Sequence, residues 1–514
     1  MLGHENAQVS LFDVASIAPS FALPADSIYE RIRQLGRRLV KDEDFAEYYS
    51  SIGRPSVPPA FLSKVMLLMY LEGVSDRQAE ASARFDLRWK HALGLPIDEA
   101  GFCHTSLGRF RLRLLTHDAT HVLFERILDL ARELGILTEE QATRVVDSTP
   151  VLGAGAVQNT YTLIRKALLK VRKSAGSGLK SKLDPLFEGK DYESKADIDW
   201  HDPEVRKQHL NELVAEAHQV LEVLEGEELA DEERQAGELL ARVTDQDVEP
   251  DEEGRFQIRR GVARDRVISV TDPEMRHGRK SKNKCFDGYK VHVSENPETE
   301  LITGVAVGRA SEHDAERLPD VVDEDTETVI GDGAYGTGDM RAKMDAKGIR
   351  VVAPQRPSGR KGMFMKADFD VDLEKETCRC PAGVEALPIY RRGDEALKGF
   401  RFPRQECDRC DLRDRCTKSS RRLLQLHHQE RYLLEAREFQ ETEDFRALYR
   451  LRPAVERKIS EMARHGMRRA RYIGVRKVDL QALFTAAVVN LKRIMRLTTK
   501  DPTLDARWRA LAVP

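Results

Sequence analysis

An α/β fold with a long helical N-terminal region is what the sequence predicts, and three observations predict it. Apolar residues from Ser27 to about Leu115 recur at helical spacing, short β-branched runs begin near Val145, and helical stretches separate those runs. The chain has 514 residues, and a prior of about one domain per 150 residues suggests three unequal units. With 41% hydrophobic and 33% charged residues it fits a soluble globular protein with solvated helices. No apolar run nears the roughly 18 to 20 residues of a spanning helix. The start, MLGHENAQVSLFDVAS, lacks the pattern of a secretory signal, so the cytoplasm is the default compartment.

The elements follow in order. Residues 1–25 are expected to be flexible, with a helical unit over 26–135. AFLSKVMLLMYLEG is apolar all round and stops at Gly73, as a buried helix does. Ser75 and Gln78 have capping-box spacing for a second helix. The short turn Gly73-Val74-Ser75 fits a helix-turn-helix, with Arg109, Arg111 and Arg113 on a basic third helix that would face DNA; a plain helical bundle fits as well. RVVDSTPVLG reads as a buried strand bounded by Pro150 and Gly153, opening a unit over 136–498. A helical insertion at about 160–255 follows, dominated by Glu and Asp from Pro185 to Glu253, because a bare loop of that length is uncommon. YKVHVSENPETELITGVAVG then reads as a hairpin, and TETVIGDGAYG and GIRVVAPQ as two further strands. VDLQALFTAAVVNLKRIMRL is a helix that packs on the core, and the tail 499–514 is expected to be loose.

Net charge is only −3, but its distribution is uneven. The acid-free stretch Thr160–Lys182 holds Lys170, Arg172 and Lys173, and Arg464–Lys477 holds Arg464, Arg468, Arg469 and Arg471. Segregated charge of this kind supplies phosphate-binding faces, although solvated helix faces look the same. Asp147 lies in an apolar run and Asp332 at the end of another. A carboxylate there is costly to bury without a cation or a basic partner. Two strand-end aspartates can bridge hard cations such as Mg²⁺, which assist in-line phosphoryl displacement, yet turns and helix caps also take Asp.

VVDSTPV, GDGAYG and the YxxRxxxE spacing of Tyr449, Arg452 and Glu456 resemble, in order, the three acidic motifs of DDE transposases of bacterial insertion sequences. The likeness extends to GRPSVPPAFLSKVMLLMYLEGVSDRQAEA, which is similar to an InsH-type N-terminal domain, and to the stretches before the hairpin and after Glu456. It implies a ribonuclease-H-like catalytic core with a helical N-terminal domain, a helical insertion and a Cys-rich insertion at about 360–425. It further implies Asp147, Asp332 and Glu456 as catalytic ligands of two Mg²⁺ (or Mn²⁺) ions, with Arg452 as a phosphate partner and Tyr335 and Tyr449 beside them. Glu461 is a nearby competitor for Glu456. One position departs: the family often has Lys seven residues after the Glu, where this chain has Ala463.

Five of seven cysteines fall between Cys378 and Cys416, which in a cytosolic chain suggests metal before disulfides. The resemblance favours Cys380, Cys407, Cys410 and Cys416 as a structural zinc set, with Cys378 as a substitute; reduced cysteines without metal and a redox switch are the alternatives. Cys103 and Cys285 are expected to be packing residues. The implied function is binding of terminal inverted repeats in double-stranded DNA, followed by strand cleavage and transfer. A homodimer is expected from two element ends to hold. The alternatives are a non-catalytic DNA-binding regulator and a structure-specific nuclease.

Overall fold

The computed structural model describes residues 1–5, 12–14, 23–281, 283–355, 362–391 and 396–511. They form a mixed α/β structure around one curled sheet. Helix Pro59–Glu72 has Pro59 in its first turn and is buried at every position from Pro59 to Tyr70, as apolar residues on all its faces require, with Ser63 and Lys64 the polar exceptions. It stops at Gly73, whose left-handed φ of 72° a side chain would resist. Ser75 and Gln78 then cap helix Asp76–Phe85 reciprocally. Helix Leu87–Leu93 intervenes before the basic helix Thr105–Thr116, so the two do not follow one another directly.

The N-terminal helices do not keep a core to themselves. Residues of Ile28–Leu35, Pro59–Glu72, Thr105–Thr116 and Val122–Glu133 share one continuous cluster with the central helix Val475–Lys500 and one face of the sheet. Tyr70 stacks on Phe484 with ring centroids 5.6 Å apart. Asn490 fastens the central helix to the sheet by pairing with both the N–H (2.8 Å) and the carbonyl (2.7 Å) of Ile302.

The sheet contains β1 (Thr143–Leu152), β2 (Arg276–Ser281), β3 (Lys284–Asn296), β4 (Leu301–Arg309), β5 (Thr328–Ile330) and β6 (Arg350–Val352). The predicted hairpin is β3–β4. Antiparallel β3 pairs with β1 along one edge, and with β2 and then β4 along the other. On the far side of β1 lie β5 and β6, both parallel. Pro150 is inside β1 rather than at its boundary, opposite Lys290. It is tolerated because β5 accompanies β1 only as far as Val145, leaving that edge of the strand without a partner strand at Pro150.

The insertion between β1 and β2 is helical, as expected: Thr160–Ser174, Ser177–Phe187, Pro203–Glu225 and Asp231–Asp247, followed by the ribbon Val248–Pro250 with Phe256–Ile258. It has its own apolar cluster. Its ends meet: the Gln158 N–H donates to the Ile268 carbonyl (2.9 Å), and the Gln158 side chain accepts from the Val270 N–H (3.0 Å). A smaller unit between β6 and the last helices holds short antiparallel strands around Phe369, Cys378, Phe400 and Phe402.

Three expectations need correction. The stretch expected as a loose tail is ordered as far as Leu511, with 512–514 outside the described residues: Pro502–Leu511 is helical, and Trp508 is fully buried, with Arg31 4.9 Å over its ring and Gln34 accepting its indole N–H at 3.0 Å. A single large aromatic supplies enough buried area to anchor so short a segment. Much of the 1–25 stretch lies outside the described residues, but Glu5 is tied to buried Lys64 (2.7 Å) and Asp13 to Arg33 (2.6 Å). Cys103 and Cys285 are exposed rather than packed. Among the described residues, no helix is long and apolar enough to cross a membrane.

Candidate active site

Where β5 ends, β1 continues without its parallel neighbour, and the two chains part. Asp147 stands on β1 two residues beyond the last parallel pair, and Asp332 two residues beyond the end of β5. The carboxyl ends of adjacent parallel strands form the crevice where open α/β sheets bind ligands. Asp147 Oδ1 accepts the Ser148 N–H (2.8 Å), and Asp332 Oδ1 accepts the Ala334 N–H (2.8 Å), so each aspartate is oriented by its own turn of chain.

Glu456 reaches the same place from helix Pro453–Met462, which packs across β1 and β3. Arg452, one turn earlier, joins the two elements: one terminal nitrogen donates to Asp147 Oδ2 (3.0 Å), the other to Glu456 Oε1 (2.5 Å). Glu461 instead pairs with Lys458 (3.2 Å). Burial pushes Asp147 up to about 6, with repulsion from Asp332 and Glu456 adding to it and the Ser148 N–H and Arg452 opposing it. Asp147 therefore senses the charges of the other two carboxylates, a negative field that a divalent cation would relieve. Their hard oxygen donors suit Mg²⁺ or Mn²⁺.

Tyr335 is buried, and its hydroxyl lies between Ser148 and His292 Nδ1 (3.4 Å), which stitches the Asp332 loop to β1 and β3. Tyr449 stacks on Phe445 (5.4 Å); burial raises its pKa, and the charges of Asp332, Asp147 and Glu456 raise it further. The loop after Asp332 has a support that the sequence reading missed. Arg341 is buried with no carboxylate beside it and donates to the carbonyls of Gly336 (3.1 Å), Val351 (2.7 Å) and Ala353 (2.7 Å). Burial lowers its pKa to about 10. Nothing in GDGAYGTGDMRAK distinguishes that arginine from an exposed one.

The basic residues divide. Arg468 and Arg469 are exposed on a turn that pairs with the end of the Asp147 strand: Leu152 N–H donates to the Arg468 carbonyl (3.0 Å), and Ala470 N–H to the Leu152 carbonyl (2.8 Å). Arg464 is exposed one turn earlier, at the start of a π-type turn that begins at Ala463. Arg471 points inward to the Val74 carbonyl and lies over Tyr70. Arg109 is exposed, whereas Arg111 pairs with Asp76 and Arg113 lies over Tyr49 and donates to the Tyr48 carbonyl (3.2 Å). Lys170, Arg172 and Lys173 belong to the helical insertion, where Arg172 meets Asp184 (3.5 Å) and Lys173 meets Glu193 (3.4 Å).

Cys380, Cys407, Cys410 and Cys416 line one cavity of about 30 Å³, room for a small ion or a water molecule. Cys378 does not line it; it packs with Phe369 and Phe400, and burial pushes its thiol up to about 11. Among the described residues, three metal-capable donor atoms lie within 4.8 Å of one another at Glu80, Cys103 and His104, and at Asp339, His427 and His428. The carboxylate trio and the cysteine quartet are more open. The adjacent histidines of LHHQE were a visible signal for the second group. In it, His428 Nε2 lies 2.6 Å from Asp339, but His427 Nδ1 already accepts the Gln429 N–H.

Two families match the chain. Residues 21–113 match a transposase domain, DUF772, and residues 379–495 match a transposase DDE domain. The second match holds Glu456 and the cysteine quartet; Asp147 and Asp332 lie in the stretch between the two. No curated protein and no solved structure matches the chain. The two matches, in this order, support a DDE transposase of an insertion element.

Proposed function

We propose that this protein binds the ends of its insertion element as double-stranded DNA and cleaves and joins strands there, using Asp147, Asp332 and Glu456 as ligands of two Mg²⁺ or Mn²⁺ ions. The observation that carries the proposal is the convergence of three carboxylates, from remote parts of the chain, at the point where β1 and β5 separate. A ribonuclease-H-like core is supported by the strand order β4-β3-β1-β5-β6, antiparallel across the first three and parallel across the last three.

Bound there, the metal pair would activate the attacking water or 3′-hydroxyl and stabilise the leaving 3′-oxygen. The chain's own groups do the positioning. The Ser148 and Ala334 N–H groups hold Asp147 and Asp332 in orientation, and Tyr335 locks the Asp332 loop against β1. Exposed Arg468 and Arg469 sit at the end of that same strand, suited to the DNA backbone. A homodimer would hold two element ends. The cysteine quartet supports a structural zinc clip, for which the four sulfurs must close around the cavity they share.

The test mixes the protein with terminal-repeat DNA and either Mg²⁺ or a chelator. Metal-dependent joined products are expected; cleavage without joining would indicate a nuclease, and binding without chemistry a regulator. Asp147→Asn, Asp332→Asn and Glu456→Gln should each abolish cleavage while retaining binding in a mobility-shift assay. Wild-type cleavage by any one of them removes that residue from the site.

A further inference from the structure

We propose that Arg452 is the resident cation of the carboxylate site, so that metal uptake by Asp147 and Glu456 is an exchange in which the guanidinium is expelled. The proposal rests on the reading of these carboxylates as metal ligands and adds a competitor to it.

Asp147 has two oxygens. Oδ1 is engaged by the Ser148 N–H, and Oδ2, the one left for a cation, is the one that Arg452 takes at 3.0 Å. Glu456 Oε1 receives the other terminal nitrogen at 2.5 Å. One planar cation thus spans two carboxylates from remote parts of the chain and occupies lone pairs that a metal would use. The arrangement does not satisfy the arginine itself: its Nε is buried and has no hydrogen-bond partner among the described residues. A buried donor left unpaired is costly, which offsets part of what the two charge-assisted bonds contribute and lowers the cost of replacing the arginine.

Release is sterically simple for one partner. The Glu456 side chain is 57% exposed and Arg452 sits four residues before it at the head of the same helix, so side-chain rotation separates them without moving the strand. Expelled, the guanidinium keeps all five N–H donors for a phosphate.

The experiment is a Mn²⁺ titration, followed by the free-ion electron paramagnetic resonance signal, on full-length wild type, Arg452→Gln and Arg452→Lys, with Asp147→Asn as the site control. Removing a competing charge-assisted pair should lower the Mn²⁺ dissociation constant about fivefold or more in Arg452→Gln. Arg452→Lys keeps the charge but cannot bridge two carboxylates in the same geometry, so it should fall between Arg452→Gln and wild type. Equal or weaker Mn²⁺ binding by Arg452→Gln overturns the exchange. So does Arg452→Lys matching wild type, because a field effect without contact would give that result. Absence of site-specific Mn²⁺ uptake from wild type and Arg452→Gln alike overturns the metal-site reading itself, and the exchange with it.

Discussion

Replacing Glu295 with Gln should stabilise the protein at neutral pH and do nothing at pH 4. Glu295 lies on β3, fully buried, and neither carboxylate oxygen has a hydrogen-bond partner among the described residues. Burial pushes it up to about 8; Lys458, Arg457 and Arg493 pull the other way, and Glu300 adds to the rise. A folded value above the ordinary 4.5 means that the folded chain binds the proton more tightly than the unfolded one. Stability from this group is therefore complete below pH 4.5 and is lost as pH rises towards 8. At pH 7, holding that proton costs about 3 kcal/mol, at roughly 1.4 kcal/mol per unit of pH. Glutamine is close in shape and carries no charge at any pH, so the variant avoids this cost. Thermal unfolding of both proteins from pH 4 to 8 should show curves that coincide at the acid end and diverge by several degrees at neutrality. A difference that does not change with pH, or a variant less stable at pH 7, would refute the assignment of the penalty to buried charge.

Two other perturbations test the frame and the cysteine unit. Gly288 lies where β3 crosses β1, and a Cβ there would meet the Val151 carbonyl oxygen at 2.1 Å and the Gly153 nitrogen at 2.4 Å. Both are backbone atoms, so Gly288→Ala should cost ~3 kcal/mol or more, seen as lost soluble yield or a lowered melting temperature. Metal analysis of protein purified without chelator should give one zinc per chain, reduced to near zero in Cys407→Ser; well under one in the wild type would sink the zinc clip.

The sequence exposed the elements whose signals are local. The Gly73 stop, the Ser75–Gln78 cap and the β3–β4 hairpin depend on a few neighbouring residues, and the structure has them all. Asp147 and Asp332 were visible as charges out of place in apolar runs. Glu456 was not, because an exposed glutamate on a charged helix has no local mark, and its position follows from a helix that packs across β1 and β3. The inward-turned arginines were equally silent. Arg341, Arg111 and Arg471 look like solvent-facing basic residues until the carbonyls, the carboxylate and the rings that receive them are in view. Trp508 was hidden for the opposite reason: its partners Arg31 and Gln34 are at the far end of the chain.

The joining of Gln158 to Ile268 and Val270 bears on how the insertion and the sheet share one chain. Because departure and return are clasped at one point, β1 and β2 experience the intervening stretch as a closed loop of fixed span, whatever its length. Closure entropy grows only slowly with the number of residues enclosed. The acidic helices can therefore be enlarged, pared down or exchanged by mutation while the strand bearing Asp147 keeps its register.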